Sequence, residues 1–318
     1  VVSEFLEAGE DREMLRKWTN TALAEVWETK GGGDIDISRL LTRAESYGPN
    51  DLPLGVEVIL AGVDVQPDRL EVQFVGHGLN GELWVIAYGI LHGDPNDGFV
   101  WRELEETLVQ PLGRVDGRQM FCRAAAIDSG GYNTAAVYDF CAAKRITRPG
   151  RAVSLFATKG SSVASSPIWD ARPKRSHSGK PLHIVGVSAA KECVMAWLGI
   201  EPNADGSPTP NCIHFPQDAD IDEKYFAQLT SEYCETRFRF GVASKHWILP
   251  PGKKNEALDT FILAFALRGM FRAQDCARLS GITSTAPAAT AERVNKRPNV
   301  AAENYEGENE IPPTKQWW

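Results

Sequence analysis

Two aspartates stand in or at the end of apolar strand-like runs, and a third lies on a helix. Asp64 interrupts an apolar, strand-like run in Ala61-Gly62-Val63-Asp64-Val65-Gln66, where a carboxylate is costly unless it is paired or holds a metal. Asp128 closes a second such run, Ala126-Ile127-Asp128-Ser129-Gly130-Gly131, whose two glycines permit a tight turn and close approach of a backbone to a ligand. Asp259 follows Glu256 by about one helical turn in Asn255-Glu256-Ala257-Leu258-Asp259, so the two acids share roughly one helix face. Three carboxylates meeting in one cleft cannot all stay ionised and unpaired, and oxygen ligands suit hard divalent cations such as Mg2+ or Mn2+. Two such ions about 4 Å apart can hold a phosphodiester, activate a water and stabilise the leaving oxygen.

Each acid read alone has a plainer explanation. Asp64 could pair with a base, Asp128 could cap the helix beginning near Thr134, and Asp259 alone is an unremarkable helix residue. The combination discriminates, because the acids fall on the first strand, the fourth strand and the last helix. Around them, Gln66 and Ser129 are candidates to orient waters, and Lys159 to contact a phosphate or shift a nearby water's pKa. Glu256 is either a fourth ligand or a first-turn acid complementing the helix dipole. His177, His183, His214 and His246 show no ligand spacing, and the six cysteines include no C-x-x-C pair.

The elements that must position these residues are legible from periodicity. Val56 to Val65 is a β-branched run, the turn Gln66-Pro67-Asp68 leads to a second run ending at Gly78, and Asn80-Gly81 signals a hairpin into a third, Glu82 to Leu91. Trp101, Leu104 and Leu108 have helical spacing; Phe121 to Ile127 reads as a buried strand, Thr134 to Lys144 as a helix and Ala152 to Ala157 as a strand. Lys159 to Lys180 reads as a basic loop, His183 to Val187 as a short strand, and Ala189 to Leu198 and Asp222 to Cys234 as helices. Arg237 to Val242 and His246 to Leu249 suggest a small hairpin, and Asn255 to Arg272 the last helix. This order predicts an α/β fold of ribonuclease H-like type. Its mixed sheet joins an antiparallel three-strand meander to parallel strands, is flanked by helices, and pairs the fourth strand with the first. The expected organisation is a lead-in at 1–50, one domain at 51–279 and a disordered tail at 280–318, rich in Ala, Thr, Pro, Asn and Glu.

Composition bounds the partners. The 318 residues are 43% hydrophobic, enough for a full core, and no run of about 18 apolar residues suggests a membrane span. The first residues, Val-Val-Ser-Glu, lack a Met and a basic leader, which suggests a fragment of a longer polypeptide. The net charge of -8 argues mildly against nucleic acid, but nine Lys or Arg and one acid lie between Lys144 and Lys180. Within that stretch Arg172, Lys174, Arg175 and Lys180 are expected to lie beside the cleft and hold a phosphate backbone, or else to form a solvated loop.

At these residues the chain resembles the large terminase subunits of lambda-like tailed phages, the gpA-type family, which join a packaging ATPase to a ribonuclease H-like nuclease. The matching words are Asn20-Thr21-Ala22-Leu23-Ala24-Glu25-Val26-Trp27, Gly62-Val63-Asp64-Val65-Gln66, Gly93-Asp94-Pro95, Ile127-Asp128-Ser129-Gly130-Gly131, Lys159-Gly160 and Asn255-Glu256-Ala257-Leu258-Asp259, spread from Phe5 to Arg272. The resemblance implies that Asp64, Asp128 and Asp259 bind two divalent cations, and that the chain cuts double-stranded DNA by two-metal hydrolysis during packaging. It also implies a small terminase subunit, a portal or prohead and an N-terminal ATPase domain as partners, in the cytoplasm of an infected bacterium. No G-x-x-x-x-G-K-[ST] loop is present, so ATP hydrolysis is not expected. The rivals are a transposase- or integrase-like strand transferase and a non-catalytic packaging scaffold.

Overall fold

The computed structural model describes Trp18, Thr21, Ala22 and residues 35–271 except Tyr132, Ala171, Phe240 and Gly241. The expected tail at 280–318 and most of the expected lead-in at 1–50 lie outside these residues. The part of the lead-in that is described packs on the domain. A short helix α1 (Ile37–Thr42) is capped by the Asp36 side chain, and the Arg43 guanidinium donates to the Leu198 and Ile213 carbonyls at 2.7 Å each.

The domain is built on a nine-stranded mixed sheet. Strands β1 (Val58–Val65), β2 (Arg69–His77) and β3 (Leu83–His92) form the expected antiparallel meander. Helix α2 (Gly98–Leu108), N-capped by Asp97, then crosses to β4 (Cys122–Asp128), which pairs parallel with β1. After α3 (Thr134–Cys141), β5 (Arg145–Arg148) hairpins into β6 (Arg151–Gly160), and β6 runs parallel to β4. Strand β7 (Lys174–Arg175) folds back on β8 (Pro181–Val185), which extends the sheet parallel to β6. Helix α4 (Val187–Leu198), strand β9 (Ile213–His214, beside β3) and helix α5 (Glu223–Leu229) follow. A separate hairpin of β10 (Tyr233–Arg239) and β11 (Val242–Ile248) precedes the last helix, α6 (Glu256–Ala266). The ribonuclease H-like mixed α/β fold is therefore present, with β4 beside β1 as its order requires.

Burial on both faces explains why β1 reads as a nearly continuous apolar run. One face, including Leu60, Val75 and Ala126, packs against α4, α5 and α6; the other, including Ile59, Val63 and Phe74, packs against α2 and α3. Gly62 has a particular task there. A Cβ on it would fall 1.9 Å from the Thr260 carbonyl oxygen, so α6 lies directly on the β1 backbone. Thr260 is fixed in turn by its hydroxyl, which donates to Gln73 Oε1 at 2.9 Å, while Gln73 Nε2 donates to the Tyr225 hydroxyl at 2.5 Å.

Several expectations need correction. The helix expected over Asp222 to Cys234 stops at Leu229, and residues from Tyr233 onward form β10 because their partner strand, β11, runs through Ile248. The helix expected to reach Lys144 ends at Cys141, which frees Arg145 to open β5. The basic loop expected over 159–180 contains the two-residue strand β7, paired with Pro181 and Leu182.

Candidate active site

The parallel arrangement of β1, β4 and β6 places their C-terminal ends side by side, and α6 lies over that end. A cleft of about 530 Å³ opens there, lined by Asp64, Gln66, Asp128, Lys159, Lys191 and Asp259 among others. Asp64 comes from β1, Asp128 from the end of β4 and Asp259 from the first turn of α6. Two strands and one helix, far apart in sequence, thus deliver the three acids to one water-accessible space.

Each carboxylate is held differently. Gln66 Nε2 donates to Asp64 Oδ2 at 2.5 Å. The Gly130 backbone N–H donates to Asp128 Oδ1 at 3.1 Å, so the turn after β4 aims this side chain. Asp259 accepts from Asn255 Nδ2 at 2.9 Å and faces Lys191 Nζ at 3.5 Å. Asn255 stands at the N-cap position of α6 yet makes no cap bond; its amide is spent on Asp259 and on Glu232 Oε1, 2.8 Å away.

The electrostatics follow from burial and crowding. Burial pushes the Asp64 carboxyl up to about 7; the Gln66 hydrogen bond opposes this, and the charges of Asp259 and Asp128 add to the rise. Asp259 is pushed up to about 6 by burial, with Lys191 pulling it down and Glu232 and Asp128 raising it. Asp128 is raised by burial as well, against the pull of the Gly130 and Ser129 backbone N–H groups and the Lys159 charge. Raised carboxylates that feel one another across a cleft are groups whose charge still lacks a full partner.

Among the described residues, no three His, Cys, Asp or Glu side chains already form a clasp around one point. The three acids share the cleft, the Asp128 charge raises both Asp64 and Asp259, and Lys191 lies 3.5 Å from Asp259. A small hard ion that keeps several waters asks for only one or two carboxylates, so this all-oxygen, water-accessible set fits Mg2+ or Mn2+.

Of the supporting residues expected from sequence, Gln66 and Lys159 line the cleft and two others do not. The Ser129 hydroxyl donates to the Thr158 carbonyl at 2.8 Å, tying β4 to β6 instead of facing the acids. Glu256 Oε1 accepts from Arg69 Nη2 at 3.0 Å, and Arg69 also grips Glu71 at 2.6 Å, so Glu256 belongs to an ion-paired cluster at the start of β2. None of Arg172, Lys174, Arg175 and Lys180 lines the cleft either. Lys174 and Arg175 form the edge strand β7, two strands out from Lys159 and on the order of 10–15 Å away by strand spacing and rise, while Arg172 and Lys180 flank β7 and β8.

The residue that sequence reasoning missed is Lys191. It is buried, 7% exposed, on the inward side of α4 among Ala190, Val194 and Met195, and its Nζ lies 2.6 Å from Glu232 Oε1. A lysine set into an apolar helix stripe was the available signal, since a buried ammonium requires a partner.

Comparison with known proteins identifies the family. The family model described as terminase large subunit gpA, endonuclease domain, matches residues 1–278. The large terminase subunit of Escherichia phage lambda is 30% identical over 269 residues, 84% of this chain and 40% of that protein. The large terminase subunit of Enterobacteria phage P21 is 27% identical over 267 residues, again 84% and 40%. The chain thus spans about 40% of the length of these curated relatives. Among solved structures, the nuclease domain of the large terminase subunit gp2 of bacterial virus Sf6, a mutant form with manganese, aligns at a TM-score of 0.42 and 12% identity, covering 73% of this chain and 97% of that one. With the family model spanning nearly all of the described fold, the chain belongs to the endonuclease-domain family of gpA-type terminase large subunits.

Proposed function

We propose that this chain is a divalent-cation-dependent endonuclease that hydrolyses the backbone of double-stranded DNA and so forms genome ends during phage packaging. The observation that carries the reading is the convergence of Asp64, Asp128 and Asp259, from three separate elements, on one cleft in which all three carboxylates are raised. These acids would hold two Mg2+ or Mn2+ ions. Bound there, such ions lower the pKa of an attacking water and neutralise charge on the phosphate and the leaving oxygen.

The chain's own groups prepare that chemistry. Gln66 fixes the Asp64 carboxylate, the Gly130 N–H fixes Asp128, and Asn255 with Lys191 fixes Asp259, so little reorganisation is left for the reaction. Lys159 is exposed at the rim, where its ammonium can meet a phosphate. In the assembled enzyme we place a packaging ATPase on the same polypeptide and the small terminase subunit and portal or prohead as partners, in the cytoplasm of the infected host.

Cleavage of supercoiled plasmid tests the reading. Nicking should stop after chelation and return with added Mg2+ or Mn2+, and ATP should change nothing. Activity that survives exhaustive chelation would rule out cation-dependent hydrolysis.

We place the basic edge of the sheet on the DNA path as well, since a duplex resting on the cleft is wide enough to reach it. Neutralising Arg172, Lys174, Arg175 and Lys180 together should weaken binding similarly for unrelated duplexes and flatten the slope of log affinity against log salt by up to about 3.6. Unchanged binding at several salt concentrations would leave this edge as solvated surface.

A further inference from the structure

A second cavity, of about 650 Å³, lies at the sheet edge and shares no lining residue with the acidic cleft. It exists because β6 changes neighbours. Strand β5 flanks β6 up to Ser154 and β8 flanks it from Thr158 onward, so Leu155, Phe156 and Ala157 face a gap. Tyr138 and Cys141 of α3 close one side, and Pro173, Pro181 and His183 close the other. The floor is aromatic: Phe156 and His183 meet edge to face at 5.1 Å, and Trp169 stacks on His183 at 4.9 Å. The rim is cationic. Lys144 and Arg145 are exposed there, and Lys180 reaches across to Asp139 at 3.2 Å.

We propose that this cavity is the docking site for the chain's own residues 303–318. That segment carries Glu303, Glu306, Glu308 and Glu310 against the single base Lys315, together with Tyr305, Trp317 and Trp318. Its acids complement the three cations of the rim, and its aromatic rings suit an apolar floor that ring stacking can fill. Phe271 follows the turn Leu267–Met270, in which Gly269 packs on Trp169 so closely that a Cβ would lie 2.6 Å from the Trp169 Cβ. Trp169 in turn stacks on His183 of the cavity wall. Gly269, two residues before Phe271, therefore lies two rings away from the site. The 31 residues 272–302 can reach on the order of 100 Å, far enough to return segment 303–318 to the cavity, and tethering on one chain makes docking intramolecular, with an effective concentration up to the millimolar range. A weak peptide site would be filled at that concentration. Duplex DNA answers the rim but not the floor, because its phosphates cannot enter an apolar cavity. Lys180 is also one of the bases placed on the DNA path, so the docked segment and a duplex compete for it.

Zero-length carbodiimide coupling on the full chain, mapped by mass spectrometry, tests this. Lys180 with Asp139 serves as the internal control, since that pair is already in contact. Lys144 and Lys180 should join to Glu303, Glu306, Glu308 or Glu310 within one molecule, in a yield that does not change on tenfold dilution. Replacing Trp317 and Trp318 by Ala should lower that yield at least fivefold, as should Arg145→Glu, while the Lys180–Asp139 product holds or rises as Lys180 is freed. Coupling spread equally to the exposed Lys253 and Lys254, or indifferent to the Trp replacements, would overturn the proposal. A yield that falls in proportion to dilution would do the same, by showing contact between copies. Loss of nuclease activity does not enter these readouts, so the docking site and the proposed function fail separately.

Discussion

Replacing Asp64, Asp128 or Asp259 by Asn is expected to abolish DNA cleavage while leaving the fold intact. If each acid contributes to holding cations that supply several kcal/mol of transition-state stabilisation, its loss should lower the rate by on the order of 10³-fold or more. Asn retains an oxygen that can accept from Gln66 or from the Gly130 N–H, so the local hydrogen bonds need not be lost. Stability should move the opposite way from activity at Asp64, which is 7% exposed. A carboxyl raised from 3.8 to about 7 favours the protonated folded form. In the cation-free protein its contribution is therefore fully present below the unfolded pKa near 4 and is lost as pH rises through about 7. The neutral Asn side chain carries no such loss. The stability gain of Asp64→Asn should thus be absent at acid pH, grow between about pH 4 and 7, and level off above, at roughly 1–2 kcal/mol once water and relaxation have eased the full ionisation cost. Plasmid nicking and thermal melting in chelator, at several pH values, measure both. A variant that cuts like the parent would remove its residue from the site, and a melting point lowered by many degrees would mark a structural acid.

How much of this was legible in advance depended on whether a signal was local. β1 to β4 were readable because each is an apolar run ended by turn residues, and the acids stood out against those runs. β5, β7 and β9 were not readable, since strands of two to four residues exist only through the partner that pairs with them. Tyr225, Phe226 and Leu229 made a helical stripe that ran on in the sequence to Tyr233 and Cys234, yet pairing with β11 claimed those two. Glu256 looked like a companion to Asp259 from spacing alone. Its surroundings decided otherwise, because Arg69 from β2 captures it, and no spacing rule reports a partner so distant in sequence. Charge density likewise marked Arg172 to Lys180 as basic without indicating that they belong to the sheet edge instead of the cleft wall. Lys191 shows the reverse case, in which a charge inside an apolar stripe deserved the suspicion given to Asp64.

Gly62→Ala should be the most damaging single-methyl change in the domain, although it adds no charge and touches no acid. A glycine in a strand interior often marks a close backbone approach, and here the approach is that of α6 to β1. The added Cβ would meet the Thr260 carbonyl oxygen at 1.9 Å, its carbon at 2.8 Å and the Ala264 nitrogen at 2.9 Å, all of them backbone atoms. No rotamer change can relieve such contacts, so the helix itself must move outward by roughly 1 Å or more, at a cost of about 3 kcal/mol. Thr260 would be drawn away from Gln73, and the buried link onward to Tyr225 would be strained with it. Asp259 directly precedes Thr260, so the same displacement carries one of the three acids away from the other two, which themselves sit on the unshifted sheet. A misplacement of about 1 Å at a reacting centre costs on the order of 10²-fold in rate. Denaturant unfolding should therefore show a large fall in midpoint, and the folded variant, assayed well below that midpoint, should still cut at least about a hundredfold more slowly. Wild-type stability and cleavage in Gly62→Ala would mean that α6 does not rest on β1 in this way, and that the third acid reaches the cleft by another route.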